Sequence, residues 1–185
     1  MTTLELNEVL LEGAGRTVSM IAEAGQLVCV AGGRGDERSR LLRAVLGLVP
    51  VREGIISIDG TPLTARSAPT LRQLMAYAPC QLQAVGNFPR YEVPSVQQVF
   101  LLKANRNANI SNGLLAEEMR HTGCEGMAAQ LLAVASLLER QLLLCDEPPV
   151  SSVPYLRSLA QKGRLVVAAS TSQTLRSEAD ITIEL

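Results

Sequence analysis

Tryptophan is missing from the chain, and tyrosine and phenylalanine together make up only 3% of it. A surface so poor in aromatic faces has little on which to stack bases, which argues against recognition of single-stranded nucleic acid. The formal net charge of −1 also withholds the positive field that a nucleic-acid or anionic-lipid binder needs, so no nucleic-acid partner is expected. The one histidine is His121, and the cysteines Cys29, Cys80, Cys124 and Cys145 show no paired metal-ligand spacing. Cys29 and Cys145 lie inside apolar runs and read as small buried hydrophobes. No apolar run approaches the ~20 residues needed to cross a bilayer. Met1-Thr2-Thr3-Leu4-Glu5 offers neither a basic start nor an apolar core for a secretion signal, so a cytoplasmic chain is expected.

What the chain does have is aliphatic bulk. Hydrophobic residues make up 47% of 185 positions, enough for one domain spanning 1–185 with a core of Leu, Val, Ile and Ala. Leu4 to Leu10 and Thr17 to Ile21 read as paired edge strands joined through Gly13-Ala14-Gly15. Leu27 to Ala31, Gln141 to Asp146 and Leu165 to Ser170 are apolar without alternation, the pattern of strands covered on both faces. Helical spacing runs over Leu41 to Leu48, Leu114 to Arg120, Met127 to Leu138 and Tyr155 to Gln161, and over Val96 to Leu102. Glu53 to Gly60 is a strand entering an Asp-Gly turn, Gln81 to Pro94 a long loop, and Ile181 to Leu185 a last short strand. Apolar strands alternating with helices predict an α/β fold, a mostly parallel sheet with flanking helices.

The stretch that points to chemistry is Gly32-Gly33-Arg34-Gly35-Asp36-Glu37-Arg38-Ser39-Arg40, which joins a buried strand to a helix. Backbone N–H groups of such a turn, with the helix N-terminus behind them, are where phosphates are cradled. Set on the pattern G-x-x-x-x-G-K-[ST], Gly32 and Ser39 hold their places, while Glu37 stands for the second glycine and Arg38 for the lysine. A carboxylate about 4 Å from a phosphate oxygen costs on the order of 4 kcal/mol at an effective dielectric near 20. That is roughly a thousandfold in affinity. Arg34, Arg38 and Arg40 offset part of it, and Arg38 has Glu37 beside it as an alternative partner.

Three segments in order carry a resemblance: Arg38 to Leu48, Gly54 to Leu63, and Leu142 to Pro148. They are similar to the phosphate-loop helix, the G-x-I-x-I-D-G-x-x-L strand and turn, and the Walker B strand of the ATP-binding cassette family, the ATPase subunits of ABC transporters. The resemblance implies a P-loop NTPase-like fold with small antiparallel N-terminal strands. It divides the chain into a core of about 1–80 and 140–185 and a short helical subdomain of about 81–139. It implies ATP and Mg²⁺ as cofactors, with Gly32, Gly33, Arg34, Gly35, Asp36, Glu37, Arg38, Ser39 and Arg40 forming the nucleotide loop. Ser39 and Asp146 are then the metal residues and Glu147 the base that orients the attacking water.

The chain departs from the family pattern at several motifs. Cys80 stands at the glutamine of the Q-loop, with Gln81 one place late. His121-Thr122-Gly123-Cys124-Glu125 is the nearest match to the Leu-Ser-Gly-Gly-Gln signature, and Ser170-Thr171-Ser172 replaces the switch histidine. These departures predict a degenerate cassette with weak ATP binding and weak or no hydrolysis. The resemblance implies that it acts in a dimer with a second cassette on a transmembrane transporter subunit, peripheral at the inner face of the membrane. Phe88, Pro89 and Tyr91 then become an expected docking set. Two alternatives stand beside this reading: an active ATPase that tolerates unusual motifs, and a scaffold or regulatory partner that works without nucleotide.

Overall fold

A computed structural model of the chain describes residues 2–80 and 110–185. The expected helix Val96 to Leu102, the loop Gln81 to Pro94 and the docking set Phe88, Pro89 and Tyr91 lie outside the described residues.

Two sheets organise the molecule. Strands β1 (Thr3–Leu10), β2 (Val18–Glu23), β4 (Glu53–Ile58) and β5 (Thr61–Pro62) form an antiparallel sheet in the order β2-β1-β4-β5. The order corrects the expectation of paired edge strands, because β1 is flanked on both sides: Leu4 pairs with Ala22 on β2 and with Ile58 on β4. The cause is long-range, since β4 is recruited from some fifty residues downstream and shares the apolar face of Leu4, Leu6, Ile56 and Ile58. A bulge breaks both ladders, between Leu6 and Val9 on one side and between Asn7 and Leu10 on the other. Glu8 sits there at φ 47.

The second sheet is parallel throughout, with β6 (Met75–Ala78), β7 (Leu142–Asp146), β8 (Leu165–Ala169), β3 (Leu27–Ala31) and β9 (Ile181–Glu184) in the order β6-β7-β8-β3-β9. Its central strands are buried along their whole length, as the unbroken apolar runs predicted. Strand alternation divides them between two cores. Val28, Val30, Leu142, Leu144, Leu165 and Val167 face the antiparallel sheet and α1 (Gly35–Val45). Their neighbours Leu27, Cys29, Leu143, Cys145, Val166 and Ala168 face the other way, toward α4 (Gly126–Leu137) and α5 (Val153–Gln161). The one-turn α2 (Ala68–Leu71) precedes β6, while α3 (Asn112–His121) packs on α4 and α6 (Gln173–Glu178) leads into β9. Helix α4 is buried nearly all round, with Leu131 to Ser136 continuously covered, as its lack of a polar face required.

Helix α1 begins at Gly35, six residues before the apolar spacing that marked it. Its first turn is polar and therefore invisible to hydrophobic periodicity, but Asp36 and Glu37 there suit the positive end of the helix dipole. Helix α6 also escaped the periodicity, being too short for a pattern.

Candidate phosphate-loop site

The site lies at the carboxyl ends of β3 and β7, where a doubly wound sheet opens a crevice for ligands. Strand β8 sits between these two, so α1 must lean across its end for Ser39 to reach Asp146. It does so: the Ser39 hydroxyl donates to Asp146 Oδ1 at 2.8 Å. The Tyr77 hydroxyl, from the end of β6, donates to Oδ2 at 3.0 Å. Asp146 is 2% exposed, and each of its oxygens thus has a donor. Burial first, and then the neighbouring Asp146 charge, push the Tyr77 phenol above its ordinary value of 10, which keeps it a proton donor.

The loop itself turns through Gly32 at φ +68 and Gly33 at φ +55. Glycine suits both of these left-handed positions, where a Cβ on Gly32 would meet Glu184 Oε2 at 2.5 Å and the Leu185 carbonyl at 3.0 Å, and one on Gly33 would meet Glu37 Oε2 at 2.6 Å and Leu185 Cβ at 2.9 Å. Arg34 is the N-cap of α1 and Gly35 its first residue. The Glu37 carboxylate folds back over this turn and accepts the Arg34 backbone N–H at 2.8 Å, one half of a capping box. Its other oxygen lies 3.3 Å from the Arg34 guanidinium.

Arg38 does not pair with Glu37, the partner its sequence neighbourhood suggested. It is 6% exposed and reaches instead to the end of β7, where Nε and Nη2 both donate to Glu147 Oε1, at 2.9 and 2.5 Å. Its Nη1 donates to the carbonyls of Gly32 at 2.8 Å and Gly33 at 3.3 Å. The helix explains the choice, because residues at adjacent positions point about 100° apart around the axis and Glu37 faces the loop. Glu147 itself takes φ 47, a left-handed conformation that costs a non-glycine residue of order 1–3 kcal/mol. Its N–H donates to Ala169 O at 2.9 Å, which anchors it there. Asp36 and Arg40 pair at 3.5 Å, Asp36 lies 3.7 Å from Arg34, and Arg40 also donates to the Glu12 carbonyl. Every arginine of the loop is therefore matched by a carboxylate.

The remaining motif positions have other duties. Ser170, at the place of the switch histidine, accepts the Ser172 N–H at 3.1 Å, and the Ser172 hydroxyl caps α6 by accepting the Leu175 N–H. Gly123 has φ +71 and lies where a Cβ would come within 2.4 Å of Ser151 O, which ties the signature-like segment to the turn after Pro148-Pro149. His121 is exposed on α3, 3.8 Å from Glu118 and away from the loop. Tyr77 and Glu184 were not anticipated as members of the site. The tyrosine carried a weak signal as one of only three in the chain at the end of an apolar run, whereas Glu184 carried none.

A glutamate and an arginine stand where a phosphate loop has its second glycine and its lysine. Ser39 and Asp146 are the right residue types for a metal shell and already lie together, the Ser39 hydroxyl and the Tyr77 hydroxyl both donating to the Asp146 carboxylate. The loop interior already holds a carboxylate, and the cation that would meet a terminal phosphate is bound to Glu147.

Sequence and structural comparison agree with this picture of the fold. The family model described as ABC transporter matches residues 16–150. A ribose/galactose/methyl galactoside import ATP-binding protein of Agrobacterium fabrum, itself named as putative, is 29% identical over 129 residues, covering 69% of this chain and 25% of the relative. A similarly named protein of Burkholderia cenocepacia is 35% identical over 166 residues, covering 78% of this chain and 32% of the relative. The chain thus spans about a quarter to a third of the length of these relatives. Among solved structures, a dimeric ATP-binding cassette in a post-hydrolysis state with ADP and Pi aligns at a TM-score of 0.76 and 15% identity, covering 98% of this chain and 94% of that one. With more than half of its length matched by the family model, and with strand, loop, helix and carboxylate-bearing strand in their expected order, the chain belongs to the ABC transporter family.

Proposed function

We propose that this chain is an ATP-binding-subunit-like cassette whose own nucleotide site is degenerate, binding ATP weakly and hydrolysing it slowly or not at all. On this reading it acts in a dimer of nucleotide-binding domains on a membrane transporter. Its division into a core of about 1–80 and 140–185 and a helical subdomain of about 81–139 belongs to the same proposal. The observation that carries it is the Arg38–Glu147 pair. Phosphoryl transfer is catalysed mainly by positioning and charge stabilisation, so a base acts only beside a held γ-phosphate. Here the residue at the base position neutralises the residue at the phosphate-holding position, at 2.5 Å. Among the described residues, no helix is long and apolar enough to cross a membrane. The proposed place at the inner face of the membrane therefore rests on a separate transmembrane partner.

Steady-state phosphate release by the wild-type chain and Glu147→Gln tests the reading. Equal rates, within about twofold, are expected; general base catalysis in an assembled site contributes ~100-fold or more. A loss of that size in the isolated chain would overturn the proposal in favour of a working ATPase.

A further inference from the structure

We propose that Glu37 is a built-in occupant of the phosphate loop, a side-chain anion seated on the Arg34 amide and beside the Arg34 guanidinium, donors that would otherwise meet an external anion. This deepens the reading of the loop as a degenerate nucleotide site and rests on it. The sequence by itself suggests only that Glu37 repels phosphate through space. The structure assigns it a different part. Its carboxylate takes the Arg34 backbone N–H at 2.8 Å, lies 3.3 Å from the Arg34 guanidinium, and stands 2.6 Å from where a Gly33 Cβ would be. Its side chain is only 14% exposed, although it occupies the first turn of a helix. A helix N-terminus with free amides and a positive dipole end attracts anions, and in this one the Arg34 amide at the N-cap is already taken by the chain's own Glu37 carboxylate. Arg38, held by Glu147 and the Gly32 carbonyl, cannot turn to greet a ligand without leaving that carboxylate unpaired. An incoming polyphosphate must therefore displace Glu37, not merely approach it.

Occupancy and repulsion make opposite forecasts for conservative variants. Glu37→Gln removes the charge but keeps an oxygen that can accept the Arg34 N–H, so the loop stays filled. Glu37→Asp keeps the charge but withdraws the carboxylate by one methylene, out of reach of that amide. Glu37→Ala removes both. Calorimetric titration of the full chain with sodium tripolyphosphate, free of magnesium, is the direct measurement. The proposal expects Glu37→Ala to gain at least about tenfold in affinity, Glu37→Asp a clear gain of about threefold or more, and Glu37→Gln less than either. Gain by Glu37→Gln equal to that of Glu37→Ala, with none for Glu37→Asp, would overturn it in favour of charge repulsion. No gain for any variant that melts as a folded protein would overturn it as well. Should Glu37→Ala not fold, the order of Glu37→Asp and Glu37→Gln decides, since both keep a polar residue suited to the first helical turn. Parallel phosphate-release assays keep the two ideas apart. Turnover by the wild type would sink the hydrolysis-deficient reading and leave the order of tripolyphosphate affinities to judge Glu37.

Discussion

Arg38 and Glu147 lie 109 positions apart in the chain, and each is defined by the other. Hydrogen bonds to a charged group contribute about 1.5–3 kcal/mol, so a double-mutant cycle with Arg38→Ala and Glu147→Gln should return a coupling of about 1–3 kcal/mol in chemical denaturation. A coupling near zero would mean that the pair does not hold the loop closed. Tyr77→Phe strips one donor from a carboxylate that is 2% exposed. The expected cost is about 1–3 kcal/mol, and a melting temperature lowered by several degrees would register it. Burial pushes the Cys29 thiol up to about 11, with the Arg176 charge opposing, and pushes Cys145 up as well. Neither should be alkylated by iodoacetamide in the folded chain at neutral pH, although both should react in denaturant. Cys29 and Cys145 were legible as core residues from their apolar neighbours, whereas the Tyr77–Asp146 contact was not, since nothing local links two strand ends.

At the scale of elements, Glu118 ties three helices together. From α3 it accepts hydrogen bonds from Ser136 of α4 at 2.8 Å and from Tyr155 of α5. Burial works against its charge, but the bonds from Tyr155 and Ser136 outweigh it and hold the carboxyl below its ordinary 4.5. A depressed folded value means that the stabilisation is fully present above about pH 4.5 and is lost as pH falls through the lower folded value. Wild type should therefore lose more stability in that acid window than Glu118→Gln does, and parallel pH profiles for the two would contradict the assignment. Gly123→Ala belongs at the same scale. It forces a side chain into a left-handed turn that also abuts Ser151 O, and should cost about 1–3 kcal/mol by denaturant midpoint. The strands and the apolar helices announced themselves through periodicity. Helix α6 and the first turn of α1 did not, because their capping residues Ser172 and Glu37 act through single hydrogen bonds that leave no repeating pattern.

For the whole molecule the expectation is near indifference to nucleotide. A dissociation constant weaker than ~0.1 mM limits linkage stabilisation at about 0.1 mM ATP to about 0.4 kcal/mol. For a chain of this size that is a melting-temperature change under about 2 °C, and a shift of several degrees would point to a site that opens readily.

What the sequence determined by itself is the architecture. Apolar runs of five or six residues, too short for a buried helix such as α4, read as central strands, the glycines of the 32–35 turn follow one of them and Asp146-Glu147 end another, so the parallel sheet and the position of the site follow from local pattern and order, whereas the pairing of β1 with β4 does not. What only the tertiary structure decided is how the charged residues of that site spend their bonds. The sequence set Arg38 beside Glu37, and the folded chain gave Arg38 to Glu147 and Glu37 to the Arg34 amide. The physical reason is that an ion pair depends on which groups the packed core brings within a few ångströms. In this chain α1 leans across β8 and aims successive side chains in different directions, a fact of geometry that adjacency in sequence does not carry.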